Sequence, residues 1–417
     1  MRVMVVGSGG REHAIVLALK KSKRVTEVFC APGNAGIAQV ASCLATDASV
    51  SSLLALAKEQ AIDLTVVGPE GPLVAGIVDA FEAEGLQIFG PNKKASQLEG
   101  SKVFCKSFLE RHVIPTAKHQ SFKDELLALE YLEKVGVPIV IKDSNLAAGK
   151  GVTVATEKEQ ARSAIENILS APEGGELVIE DYLPGQEVSF LIFVDGESYA
   201  PMLLAQDYKQ AFDGDRGDMT GGMGTIAPVS LLSDAQYDYV RREIIEKTLA
   251  GLKKDDILYK GVLFIGLMVT ESDVKVLEFN CRFGDPETQV VLPLLKTDLL
   301  EIMEAVIEGR LAETRLEWSD EAAACIIMAA PGYPGSYKKD IPITVPELAK
   351  NVTVIHAGTR LKEGQLVSSG GRVLGVTAVA DNLDRAIASA YEAVEDIEFP
   401  EAHYRRDIGS RLQKTKN

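Results

Sequence analysis

Glu278 and Asn280 stand two residues apart in the apolar run VKVLEFN, and Arg282, Asp285 and Glu287 follow at once in CRFGDPET. On a strand alternate side chains share a face, so the carboxylate and the amide oxygen project together while Leu277 and Phe279 point into a core. Paired hard oxygens suit a cation such as Mg2+, which takes one or two protein ligands and completes its shell with water and substrate phosphates. Arg282 offers a planar fork for a carboxylate or phosphate, and Asp285 and Glu287 can accept from an amine. The spacing therefore points to a metal-bound nucleotide beside a small zwitterion.

Two glycine loops supply anion-binding chemistry. GSGGREH (7–13) follows a strand and opens a helix, so backbone N–H groups and the helix dipole meet an incoming phosphate, with Arg11 as a charged donor. Glu12 occupies the place of the third glycine of a dinucleotide fingerprint, and the next strand ends in FCAPG without an acid for a ribose hydroxyl. In IKDSNLAAGKGVTVA, Gly149 and Gly151 flank Lys150, and Lys142 precedes them. This is no P-loop, since Ser144 replaces the first glycine, Gly151 follows the lysine, and a strand rather than a helix comes next. The run FDGDRGDMTGGMG departs from a calcium loop because Gly224, not glutamate, stands at its twelfth place, and its five glycines predict a mobile loop that closes over substrate.

These segments need a frame to hold them. At 417 residues and 46% hydrophobic, the chain divides into two to four domains, since single cores rarely exceed about 250 residues. Residues 1–92 alternate strand and helix signals, including single helices over REHAIVLALKK and VAGIVDAFEAEG, which predicts a doubly wound parallel sheet. Its loops GSGGR, APGNAG, GPEGP and GPN line one crevice. From Pro115 the order becomes helix, strand, glycine loop, strand, helix, strand, with the glycine loop in a hairpin. Long strands EVSFLIFV and YAPMLLAQ, a helix near 233–252 and the hairpin GVLFIGLMVT/VKVLEFN follow, and the last ninety residues form a small α/β unit.

A formal charge of −16 argues against nucleic acid or an anionic membrane as partner. Five dispersed cysteines without C-x-x-C predict neither disulfides nor a zinc knuckle, and the longest apolar runs are far short of a membrane span. A soluble, cytoplasmic protein is expected.

Taken in order, Lys142, AAGKG, VIEDYLPGQE and LEFN resemble the ATP-grasp superfamily. With GSGGREHA, APGNAG, GPE, QDYKQAFDGDRGDMTGGMG and RFGDPETQ the chain resembles, over nearly its whole length, the glycinamide ribonucleotide synthetases, or phosphoribosylamine-glycine ligases. The resemblance implies a parallel N-terminal domain (1–100), an ATP-grasp domain of two subdomains (101–325, its lid about 120–190) and a small C-terminal domain (326–417). It implies that Lys102 and Lys142 hold ATP phosphates, that Ala148, Gly149, Lys150 and Gly151 cover them, and that Glu180, Asp181, Leu183 and Glu187 hold adenine and ribose. Glu278 and Asn280 match metal ligands for Mg2+ or Mn2+. Gly9, Gly10, Arg11, Glu12, Asn34, Pro69 and Glu70 fall on the phosphoribosylamine side, while Arg282, Asp285, Asp213 and Lys209 surround the reacting groups with Asp207 and Glu287. The implied partners are ATP, glycine and 5-phosphoribosylamine, on a monomer or homodimer.

Overall fold

The structure is a computed structural model that describes residues 1–146, 151–171, 175–271 and 273–413. Strands β1 (Arg2–Gly7), β2 (Glu27–Pro32), β3 (Ser42–Cys43), β4 (Leu64–Val67) and β5 (Ile88–Phe89) form an all-parallel sheet in the order β3-β2-β1-β4-β5. β1 is buried along five of its six residues, as a strand covered on both faces must be. Helix Gly10–Leu19 follows it directly. The expected single helix over VAGIVDAFEAEG is instead two, Glu70–Ala75 and Ile77–Ala83, because Gly76 between them takes a left-handed φ of 94°.

Next come β6 (His119–Phe122), β7 (Ile139–Asp143), β8 (Val152–Ala155) and β9 (Leu177–Asp181), an antiparallel sheet in the order β6-β9-β7-β8. Helices Glu125–Val135 and Lys158–Leu169 pack on it. This small sandwich has a core of its own, which includes Phe122, Leu132, Ile141, Ile165 and Ile179. β7 and β8 pair as the expected hairpin, and its loop residues 147–150 lie outside the described residues.

The rest of the chain carries β10 (Gln186–Val194), β11 (Tyr199–Pro201), β12 (Gln206–Asp207), β13 (Gln210–Phe212), β14 (Arg216–Met219), β15 (Gly224–Ala227), β16 (Gly261–Val269), β17 (Val274–Asn280), β18 (Ala322–Ala329), β19 (Val352–His356), β20 (Thr359–Lys362), β21 (Gln365–Ser368) and β22 (Arg372–Ala380). One antiparallel sheet runs β11-β10-β16-β17, with β10 and β16 paired over nine residues. YAPMLLAQ is not one long strand. β11 stops at Pro201, which has no N–H to continue a ladder, and β12 belongs to another sheet.

That second sheet, β12-β15-β18-β22-β19, mixes strands from the middle of the chain with those of the tail, and helix Leu383–Asp396 covers it. The expected boundary at 325/326 falls inside β18, which is paired with β15 on one side and β22 on the other. A single core joins the parts: Val5 and Phe89 of the parallel sheet, Phe193 and Phe264 of the β11-β10-β16-β17 sheet, and Cys325 and Ile327 of β18 belong to one buried cluster. FDGDRGDMTGGMG is likewise not a free loop. It forms the β13/β14 hairpin, whose Asp213 and Asp215 are tied to Arg405, Arg406 and Arg411. Among the described residues no helix is long and apolar enough to cross a membrane.

Candidate active site

The carboxyl ends of the parallel strands, the β6–β9 sandwich and the β10/β16/β17 face enclose a cavity of about 380 Å³. Its apolar lining includes Val140, Val152, Val154, Leu183, Met268 and Leu277. Lys102, Lys142, Gly151, Asp181 and Glu187 also line the cavity. Glu180, at the end of β9, is 2% exposed and paired with two lysines, Lys142 of β7 and Lys106 of helix Lys102–Arg111. Lys142 also donates to Leu277 O at 3.2 Å. Burial alone would lower the pKa of Lys142, but Glu180 and Glu278 outweigh it and keep the ammonium charged. Apolar walls for a flat ring and fixed positive charge in one cavity suit a nucleotide.

Glu278 and Asn280 face the cavity from β17. Burial would raise the Glu278 carboxyl, yet Lys209, Lys142, Lys102 and Arg282 reverse the effect and hold it at about 2, so it stays ionised. Its partner across the hairpin is Gly266, and β16 offers no second acid. Among the described residues no group of three or more His, Cys, Asp or Glu is arranged to hold a metal ion. One ionised carboxylate and one amide oxygen nevertheless fit a hard cation that takes its remaining ligands from phosphates and water.

Beyond them lies a dense charge network. Arg282 bridges two acids, Glu99 at 2.8 Å and Glu70 at 3.3 Å. Arg372 of β22 holds Asp285 at 3.0 Å and donates to Asp285 O and Gly222 O. Lys209 lies 3.0 Å from Glu187 and 3.6 Å from Glu278. Ser189 donates to Glu287 at 2.8 Å. Burial and the nearby Glu287 carboxylate push Asp207 well above the usual carboxylate range.

The N-terminal loop residues divide. Arg11 and Glu70 line the cavity. Glu12 is turned inward, accepting from Gly9 N at 2.6 Å and pairing with Arg11 at 2.6 Å. It fills the space beside β1, where a Cβ on Gly7 would come within 2.6 Å of its Cδ. Gly10 packs against Gln289, and Pro69 caps helix Glu70–Ala75. Asn34 spends its side chain on backbone, donating to Ser8 O and His356 O and accepting from Gly36 N and Ile37 N. Asp213 accepts from Arg406 N at 2.8 Å, away from the residues lining the cavity. Ala148, Gly149 and Lys150 lie outside the described residues.

His13 is structural. Its Nδ1 accepts from His356 N at 2.8 Å, and burial with the neighbouring ring lowers its pKa to about 3, while burial lowers His356 to about 4. Both native values lie below the ordinary 6.5, so as pH falls the unfolded chain takes up protons that the native one refuses, and stability drops between pH 6.5 and about 4. Urea unfolding across that window should therefore show a shallower pH dependence for His13→Asn, and identical slopes for variant and parent would refute the assignment.

Among curated proteins, the phosphoribosylamine-glycine ligase of Caldanaerobacter subterraneus subsp. tengcongensis is 46% identical over 415 residues, 98% of this chain and 100% of that one. The chain belongs to the phosphoribosylglycinamide synthetase family. Family models match in three consecutive stretches: the phosphoribosylglycinamide synthetase N domain over 1–99, its ATP-grasp (A) domain over 100–288 and its C domain over 323–411. The crystal structure of phosphoribosylamine-glycine ligase from Thermotoga maritima superposes with a TM-score of 0.86 at 33% identity, covering 98% of this chain and 100% of that one. The biotin carboxylase domain of Hydrogenobacter thermophilus 2-oxoglutarate carboxylase, at 18% identity, shares the fold with a TM-score of 0.73 over 97% of this chain and 91% of that one.

Three charged cavity residues of this synthetase-family chain, Lys106, Arg372 and Glu99, escaped the sequence reading. Lys106 had a signal, since it sits one turn beyond Lys102 on the same helical face. Arg372 follows a glycine pair in SSGGRVLG, the kind of loop that drew attention elsewhere. Glu99, which accepts from Cys281 N at 2.6 Å and pairs with Arg282, carries no local signal, as its role depends on a partner 183 positions away.

Proposed function

We propose that this chain is a carbon-nitrogen ligase that joins glycine to 5-phosphoribosylamine in the cytoplasm, with ATP converted to ADP and phosphate. One observation carries the reading beyond family membership: an ionised acid beside an amide oxygen, in a single cavity, between a lysine-lined nucleotide end and a network of paired acids and arginines.

A carboxylate resists attack by an amine, so glycine is first phosphorylated to glycyl phosphate, whose phosphate the amine then displaces. The chain's own work is to bind, orient and exclude water. Lys102 and Lys142 face the phosphates, and Glu180 to Leu183 border the base. Glu278 and Asn280 would hold a divalent cation, Mg2+ or Mn2+, which when bound would offset charge on the transferring phosphoryl group. Arg282 with Asp285, and Lys209 with Asp207 and Glu287, surround the reacting atoms, and Arg11 and Glu70 face phosphoribosylamine. In this division residues 1–100 supply the amine side, the central stretch with its lid near 120–190 supplies ATP-grasp, and the tail supplies Arg372.

Phosphate release from ATP should require both glycine and phosphoribosylamine. Undiminished release with either one omitted would end the assignment. Arg11→Ala should chiefly raise the apparent KM for phosphoribosylamine, by about tenfold for the loss of one charged hydrogen bond; a change confined to the KM for ATP would move Arg11 to the nucleotide.

A further inference from the structure

Asp207 and Lys209 line the cavity, and the residue between them does not. Alternation sends Tyr208 the other way, into full burial against residues 405–411. Two guanidinium groups pack on its ring, Arg411 at 4.2 Å and Arg405 at 5.1 Å, and its hydroxyl accepts from Gly409 N at 2.8 Å. Arg411 also donates to Asp207 O at 3.1 Å, and Arg405 to Gln210 O at 3.1 Å.

The same arginines reach the tip of the β13/β14 hairpin. Asp215 receives Arg405 at 2.9 Å and Arg411 Nε at 3.0 Å, and Gly214 N donates to Asp407 at 2.8 Å. The far leg of the hairpin returns to the cavity at Met219, Thr220 and Gly221. A hairpin of three- and four-residue strands is marginal by itself. In residues 207–209, which lead into it, the Glu287 carboxylate repels Asp207 while Glu187 and Glu278 hold Lys209, so a loose backbone would let Asp207 swing out of register.

We propose that the segment Arg405–Arg411 is a strap that positions Asp207 and Lys209 for glycine and its acyl phosphate. It touches none of the reacting atoms and acts through the backbone of residues 207–210 and the hairpin tip. The inference rests on the ligase reading for the identity of the substrate that those two residues serve.

Arg405 is completely buried, so the test uses its more accessible partners. Asp215→Asn removes the shared counter-charge while tolerating the left-handed φ of 55° at that position. Arg411→Gln removes stacking and the bond to Asp207, and Arg411→Lys keeps the charge without the fork. Each is compared with the parent in melting temperature, MgATP affinity and kcat/KM for glycine. The expected result is a fall in kcat/KM for glycine of between about tenfold and a hundredfold, the scale of a misplaced positioning group, at unchanged MgATP affinity, with Arg411→Lys in between. Unchanged kcat/KM, or an equal loss of MgATP affinity, would overturn the strap. A parent enzyme indifferent to glycine would overturn the ligase reading, and the strap's role with it.

Discussion

Glu278→Gln is expected to leave the fold intact and to lower turnover at limiting Mg2+ by more than about a hundredfold, the upper range for losing a mere outer-shell partner of a metal. The side chain is close in shape and lines the open cavity rather than the core. What disappears is the only acid that β16 and β17 present there, and with it one of the counter-charges to Lys102, Lys142 and Lys209. Part of the rate should return at high Mg2+, since the deficit is one of ligation. A metal-concentration profile that matches the parent's would remove Glu278 from the metal site.

The second large effect is on Arg282, which is one of the few residues whose loss should damage both stability and activity. Arg282→Gln leaves Glu99 and Glu70 without their shared cation, and breaking a buried pair in this way costs roughly 3 kcal/mol. Turnover should fall below detection because the fork beside the reacting groups is gone. The two losses are separable. Adding Glu99→Gln should restore most of the urea midpoint, since the amide can still accept from Cys281 N, but should restore no activity. If activity returned with stability, Arg282 would be a structural bolt and nothing more.

The contrast between Glu278 and Glu12 shows what a linear chain discloses. Glu278 and Asn280 share a strand face, so period-two alternation was enough to bring them together. Glu12 stands in the first turn of helix Gly10–Leu19, in a stretch whose composition suggests phosphate binding, yet it turns inward, because the glycines around it leave a space that its own carboxylate fills. Asn34 and Asp213 were likewise read from local context, and each is used by backbone groups distant in sequence, His356 and Arg406. The parallel sheet and the β7/β8 hairpin were legible from pattern, as were the β16/β17 pair and helix Leu383–Asp396. The β12-β15-β18-β22-β19 sheet was not, since nothing in GTIA or QD announces that they pair beside β18 and with each other. Local pattern carries elements and faces, while the ends of long-range polar contacts remain silent.

Apart from the valines that already line the cavity, the β6–β9 sandwich packs its apolar residues in a core of its own, and its polar ties to the body include the lysines on Glu180 and the bond from Lys142 to Leu277 O. Swinging it open would wet little hydrocarbon, so the motion should carry almost no heat-capacity change. Admission of nucleotide would then be governed by charge at a seam rather than by melting of a core, and temperature would matter less to it than the ionic company the nucleotide brings.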